Sequence, residues 1–283
     1  QTDAATTSAL NITLPDGSVR EMPAPTTAHA VAMAIGERLA KAAVGAKIDG
    51  RLADLHEPIT ADCSLAIVTP ANREKEPDPD ALWLCRHSAA HVMAEAIQRV
   101  VPGAQLVYGP PLETGFYYDI AFPEDRPLRE GDFEAIEKEM AAIVKEDRPF
   151  TRYELSPEEG LAKLKSEGSK YKINNAERAL ASTGSNADAE RSEASDVLSF
   201  YVTGQPGEHW EDLCAGPHVP NTGRIGAFKV MSLASSYWHS DETSDRLTRV
   251  YDTAFFNKKD LNAHLTRLEE AKKRDHRLLG KQL

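Results

Sequence analysis

Residues 87–91 read HSAAH, and residues 212–218 read DLCAGPH. On a helix, His87 and His91 lie one turn apart and project from one face. Cys214 and His218 are also four apart, but Gly216 and Pro217 break a helix between them, so a loop must present that pair. Three imidazoles and a thiol have the ligand types of a tetrahedral zinc site. The same set suits metal-free hydrolysis, because histidine titrates near neutrality and can relay a proton or hold a water. A nucleophilic cysteine would need a lowered pKa, for which nothing in the sequence supplies a cause. The third reading is four ordinary residues, since an isolated HxxxH is most often a pair of surface histidines. The two halves stand more than a hundred residues apart, so spacing alone leaves all three readings open.

The elements that would position these residues can be read outward from them. DPDALWLCRHSAAHVMAEAIQRVVPG predicts a helix of five turns or more, capped at Asp80 and stopped at Pro102-Gly103. Leu84, Ser88 and Glu95 share the histidine face, a rather polar stripe, while Ala90, Met93 and Ile97 form a more apolar one. LVYG and GFYYDIAF read as strands, DFEAIEKEMAAIVKEDRP as an amphipathic helix, FTRYELS as a strand, and SPEEGLAKLKSEG as a short helix capped by Ser156. ERALASTGSNADAERSEASD is small, polar and acidic, and reads as a mobile surface insertion. Strands resume at VLSFYVTG, AFKVMSLAS and RLTRVYDTAF, and a long helix begins at NKKDLNAHL and leads out of the domain.

Upstream, LNITLPDGSVREM is hairpin chemistry around Pro15-Asp16-Gly17, and VGAKIDGRLADL is a second hairpin with Asp49-Gly50 at its tip. TTAHAVAMAIGERLAKA lies between them as one helix with a threonine cap, and SLAIVT closes the set. The order ββαββ predicts a small grasp-like sheet with one helix across it. His29 and His56 have no evident partner there. PANREKEPDPD, charged and rich in proline, is a linker.

Length and composition bound the function. The 283 residues suffice for two or three domains, and a hydrophobic fraction of 41% suffices for their cores. No apolar run is long enough to cross a bilayer, and QTDAATTSAL lacks the features of a secretory signal. Cys63, Cys85 and Cys214 are odd in number and scattered, which argues against a disulfide framework and for the cytosol. A net charge of −11 argues against nonspecific coating of nucleic acid, though not against a structured RNA held by a local basic patch. Basic residues gather in RLEEAKKRDHRLLGK, which reads first as a solvated amphipathic helix.

ITLPDGS, RHSAAH, GPPLETGFYYD, DLCAGPHVPNTGRIGAFKVM and LTRVYDTAF together resemble the amino-terminal part of bacterial threonyl-tRNA synthetase. The resemblance implies an α+β chain. A tail over 1–9 precedes a TGS-like, ubiquitin-like β-grasp domain over 10–69 and a linker over 70–80. An α+β editing domain over 81–256 follows, of the threonyl/alanyl-tRNA synthetase type, and then a linker helix over 257–283 toward an absent aminoacylation core. It also implies an editing site of His87, His91, Lys172, Cys214 and His218, with Asp212 and Tyr118 binding substrate. Two departures stand out. YWHSDE replaces the arginine and glycine usual after the tryptophan, which removes a basic contact, and Ala89 replaces a common cysteine.

The alanyl-tRNA synthetase editing domain shares the HxxxH and Cys-x-x-x-His layout and resembles a zinc site. CAGPH follows the threonyl form, whose pocket the family resemblance makes metal-free, with zinc on His87, His91, Cys214 and His218 as the alternative. ATP and a catalytic zinc are expected only in the absent core. The implied substrate is threonine tRNA mischarged with serine. The implied partners are that tRNA and the aminoacylation core, with a homodimer for the full-length enzyme and no membrane. The competing expectations are a freestanding or alanyl-type zinc-dependent deacylase and a noncatalytic RNA-binding module.

Overall fold

The computed structural model describes residues 9–72, 74–181 and 197–279. The expected tail over 1–8, Arg73 of the linker, residues 182–196 of the acidic insertion and 280–283 of the last helix lie outside the described residues.

The amino-terminal sheet grows from two tight turns. Gly17 adopts φ +81° between β1 (Ala9–Thr13) and β2 (Val19–Pro23), and the Asp16 carboxylate accepts the Ser18 N–H. Asp49 and Gly50 both take positive φ between β4 (Gly45–Ile48) and β5 (Arg51–Ala53), the pairing a two-residue hairpin needs. Between these hairpins run the short β3 (Thr26–Thr27), α1 (Ala28–Ile35) and α2 (Glu37–Ala42). Thr27 caps α1 by accepting the Ala30 N–H, as expected. The single helix expected here is two helices, because Gly36 leaves helical φ/ψ and ends α1. β6 (Pro58–Ile59) pairs with β3, and β7 (Cys63–Val68) enters the centre of a sheet ordered β2-β1-β7-β4-β5. Leu10, Ile12, Val31, Ala46 and Leu65 form its core. The two histidines without evident partners, His29 and His56, lie against each other with ring centroids 4.9 Å apart.

The second domain is organised by α3 (Pro79–Val100). Its cap is Asp78 rather than the expected Asp80: proline suits the first helical position, so Pro79 moves the cap one residue before itself. The stripe read as polar is buried, with Ser88, His91 and Glu95 all 3% exposed or less. The reason is that α3 is covered on several sides. Val44, Leu52 and Val68 of the grasp domain share a core with Leu84, while Phe116, Ile120, Val250 and Met140 belong to the same cluster.

Four antiparallel strands form one sheet in the order β13-β14-β9-β8. They are β8 (Gln105–Tyr108), β9 (Phe116–Ala121), β13 (Ala227–Tyr237) and β14 (Arg246–Phe255). A second sheet, β10-β11-β12, comprises β10 (Phe150–Leu155), β11 (Leu198–Thr203) and β12 (Glu211–Leu213). α4 (Phe133–Lys145) packs beside α3 through Ile136, Met140 and Ile143. α5 (Pro157–Ser166) has the expected Ser156 cap, closed reciprocally by Glu159. α6 (Lys170–Ala181) had no counterpart in the sequence reading, and its last turn takes up the start of the stretch read as an insertion. α7 (Lys258–Leu279) packs its first turns on Ala227 and Phe255 through Leu261 and Leu265.

Candidate active site

α3 and the loop after β12 meet at the expected residues. His87 Nδ1 lies 3.0 Å from the Pro217 carbonyl. A carbonyl only accepts, so Nδ1 carries the proton and Nε2 keeps its lone pair in the neutral ring. That Nε2 is 3.3 Å from Cys214 Sγ, and His218 Nε2 is 3.4 Å from the same sulfur. His91 completes the cluster, its ring centroid 5.5 Å from that of His87 and 4.3 Å from that of His218. One nitrogen or sulfur from each of the four lies within 4.8 Å of the others. His91 and His218 are buried, whereas His87 and Cys214 are partly accessible, so any reactant meets the latter pair first. The four side chains are thus gathered in one place and are not separate surface residues.

Burial sets the protonation states. It holds the His91 and His218 imidazoles well below their usual range, and the neighbouring His87 reinforces both. It pushes the Cys214 thiol up to about 12, against the opposing Gly216 N–H. Without a cation the buried part of the cluster is neutral, and Cys214 is a thiol rather than an attacking thiolate.

The loop is held by groups the sequence reading did not single out. Ser88 Oγ accepts the Val219 N–H and stands 3.1 Å from His218 Nδ1, joining helix to loop. The Phe150 ring stacks on His218 with centroids 4.8 Å apart. Gly216 adopts φ +73°, and a Cβ there would come within 2.1 Å of the Tyr201 hydroxyl, so glycine is required twice over. Ser88 could have been found, since it shares the histidine face of α3; Phe150 and Tyr201 carry no such signal.

The remaining expected residues form a second cluster. Lys172 Nζ, on α6, bonds Asp212 Oδ1 at 2.7 Å, Oδ2 at 2.9 Å and the Tyr118 hydroxyl at 2.8 Å. Tyr118 in turn donates to Asp212, and burial beside that carboxylate keeps its phenol protonated. Asp212 and Cys214 are two apart along an extended segment and so share a face, which sets the triad against the cysteine. α6 is anchored by Asn175, which donates to the Val107 carbonyl, and by Tyr171, which donates to Asp245 beyond the β13–β14 turn. At that turn His239, in the divergent YWHSDE stretch, lies 3.0 Å from the Arg178 guanidinium of α6, so a cation approaches this place from another element.

The four donors fit a metal ion. The donor chemistry is that of zinc, the Pro217 carbonyl fixes the His87 tautomer as an outer partner does for a ligating imidazole, and His91 Nδ1 is buried with no hydrogen-bond partner.

This arrangement belongs to a recognisable class. The TGS domain family matches residues 10–69, and the family described as the threonyl and alanyl tRNA synthetase second additional domain matches residues 200–251. A TGS domain thus precedes an additional domain of the kind those synthetases carry. Over almost its whole length the chain is similar to threonine–tRNA ligases. It is 44% identical over 98% of its residues to that of Erythrobacter litoralis, and 45% over 97% to that of Novosphingobium aromaticivorans. The corresponding figures for Symbiobacterium thermophilum are 43% and 98%. The chain spans 38–39% of the length of these three relatives. The part of those ligases that it resembles carries a TGS domain followed by the additional domain. Among the described residues no helix is long and apolar enough to cross a membrane.

Proposed function

We propose that the site hydrolyses the ester of threonine tRNA mischarged with serine and spares the threonyl ester. The observation that carries this reading is the contact of two chemically distinct clusters. A partly accessible His87, beside the buried and neutral His91 and His218, abuts a buried Lys172–Asp212–Tyr118 triad. An aminoacyl ester is already activated, so its hydrolysis needs chiefly a placed water and stabilisation of the carbonyl oxygen. His87, with Nδ1 tied to Pro217, presents Nε2 as the base that takes a proton from water as its oxygen attacks the ester carbonyl, and returns it to the ribose oxygen as the C–O bond breaks.

Lys172 is the electrostatic partner of the developing oxyanion. Its three protons are engaged by Asp212 and Tyr118, so it acts once the serine ammonium takes over part of the Asp212 carboxylate and releases an N–H. Cys214 and His218 shape the floor. A synthetic site cannot exclude serine strongly, since one methyl is worth only about 1–3 kcal/mol; a second, tighter site rejects threonine by clash. The partners in this reading are threonine tRNA and the aminoacylation core, the latter in a homodimer and supplying its own ATP site and zinc.

A second reading places zinc on His87, His91, Cys214 and His218, favoured by the orphaned His91 Nδ1. Zinc would supply Lewis-acid activation of water. The deciding experiment is deacylation of seryl- and threonyl-tRNA(Thr) by metal-stripped protein. Selective loss of serine supports the metal-free site. Activity that returns only with zinc moves the reaction to the metal. No hydrolysis in either form, with or without the aminoacylation core, sinks the hydrolytic reading.

A further inference from the structure

The TGS domain takes no part in the chemistry above, yet one of its side chains reaches the site. Asp54 follows β5, and its Oδ1 accepts the His218 N–H at 2.7 Å while Oδ2 accepts the Tyr201 hydroxyl at 2.5 Å. Both bonds cross between domains, over 164 and 147 residues of chain. The loop is also tied to α3 through His87–Pro217 and Ser88–Val219 and to β11 through Ser199, but the His218 N–H at its end is given to Asp54. Cys214 N–H reaches Ser199, Gly216 N–H turns back to Cys214 Sγ, and Pro217 has no N–H to give. Tyr201 lies against Gly216 and also faces the His218 ring, with centroids 4.5 Å apart. Asp54, Tyr201 and the loop therefore form one joint.

The domain carrying Asp54 is not free to swing away. Arg224 of the second domain donates to the carbonyls of Lys41, Ala42 and Ala43 at the end of α2. Val44, Leu52 and Val68 share a core with Leu84 of α3, three residues before His87.

We propose that Asp54 is a positioning residue of the hydrolytic site, through which the TGS domain holds the Cys214–His218 loop in register with the histidines of α3. The proposal rests on the hydrolytic reading for its activity readout, and on geometry alone for a second one. Removing the carboxylate leaves the His218 N–H without its acceptor. The loop then drifts, and a misplacement of about 1 Å costs about 100-fold in rate.

The test compares wild type with Asp54→Ala, Asp54→Asn, Tyr201→Phe and Arg224→Ala. It reads kcat and KM for seryl-tRNA(Thr), and the rate of Cys214 alkylation by iodoacetamide at one pH in metal-stripped protein. Asp54→Ala is expected to lower kcat about 100-fold with KM changed less than about 3-fold, and to raise Cys214 alkylation about 10-fold. Asparagine keeps an acceptor for the His218 N–H, so Asp54→Asn returns both readouts to within about 3-fold of wild type. Tyr201→Phe removes one of the two bonds and lowers kcat about 3- to 10-fold, which keeps the test open if Asp54→Ala does not fold. Arg224→Ala removes polar bonds of the same interface away from the loop, while Val44, Leu52 and Val68 still pack with Leu84 and keep Asp54 in place, so both readouts stay within about 3-fold of wild type. The proposal is overturned if Asp54→Ala keeps wild-type alkylation and kcat, or if Arg224→Ala reproduces the Asp54→Ala effects. A wild type that cleaves no ester rejects the hydrolytic reading instead, and Cys214 alkylation then decides alone whether Asp54 holds the loop.

Discussion

Two buried ion pairs lie within reach of the same helix, and they are built differently. Glu95 of α3 accepts two bonds from Arg148 at 2.9 Å, one from Arg99 at 2.6 Å and one from the Thr203 hydroxyl at 2.7 Å. Two oxygens accept four bonds from three groups, and the result ties α3 to β11 and to the segment before β10. The Lys172–Asp212–Tyr118 triad is as buried, but it adjoins imidazoles held neutral and a thiol held protonated. The Glu95 cluster runs on into further charges, Glu139 and Glu146, which pair with its arginines, whereas the triad adjoins ionisable groups that burial keeps neutral. Burial of an ion pair is therefore no sign of chemistry in itself; adjacency to ionisable groups kept neutral is the stronger sign.

The sharpest way to break this comparison is to cut both pairs. Lys172→Ala leaves the Asp212 charge buried and alone, and should cost about 3–5 kcal/mol of stability. It should also slow seryl-tRNA(Thr) deacylation about 1,000-fold. Glu95→Ala leaves the buried Arg148 with Glu146 alone and should cost about 3 kcal/mol, yet leave the rate per folded molecule within about 3-fold of wild type. Urea denaturation beside single-turnover kinetics separates the two outcomes. Equal loss of rate in both variants would erase the distinction. His87→Ala sharpens it further, because the residue lies at the partly accessible edge of the cluster. Deacylation should fall about 100-fold, with stability changed by about 1 kcal/mol or less.

What could be read in the chain beforehand follows the range of the forces involved. The hairpins at Asp16-Gly17 and Asp49-Gly50, the Ser156 cap and the one-turn spacing of His87 and His91 are local, and each formed as its residues dictate. α6 was missed because Gly168-Ser169 reads as the stop of α5 as readily as the start of another helix, and its last turn has the small, polar composition of the stretch that follows; it is held by Tyr171–Asp245 and Asn175–Val107, contacts 74 and 68 residues away. β12 is three residues long, too short for alternation to register. The polar stripe of α3 misled for a related reason. Ser88, His91 and Glu95 are polar because each meets a partner group in the interior, and their composition resembles that of a wet face. Asp54 lay in an ordinary turn of a domain with no evident tie to the site. The seven expected site residues come together as two clusters, with Tyr118 bonded to Lys172 and Asp212 in the second.

The smallest effect concerns Cys214 and bears on how the neutral cluster is held. Its thiol rises from 9.0 to about 12 on burial, so the folded chain keeps the proton after the unfolded chain has released it. The unfolded state then binds fewer protons, and stability falls as pH rises above about 9 toward 12. The imidazoles act at the other end. His91 and His218 are lowered from 6.5, so as pH drops below that value the unfolded chain gains protons that the folded one refuses, and their contribution to stability is lost. Cys214→Ser removes the titrating thiol and leaves the imidazoles. Urea midpoints should therefore fall less for the variant than for wild type between about pH 9 and 11, with both falling alike below about pH 6. If the thiol only shapes the floor, deacylation at neutral pH changes by less than about 10-fold. A much larger loss, reversed by zinc in the wild type alone, would mean that the sulfur serves as a ligand and that the cluster is neutral only while it is empty.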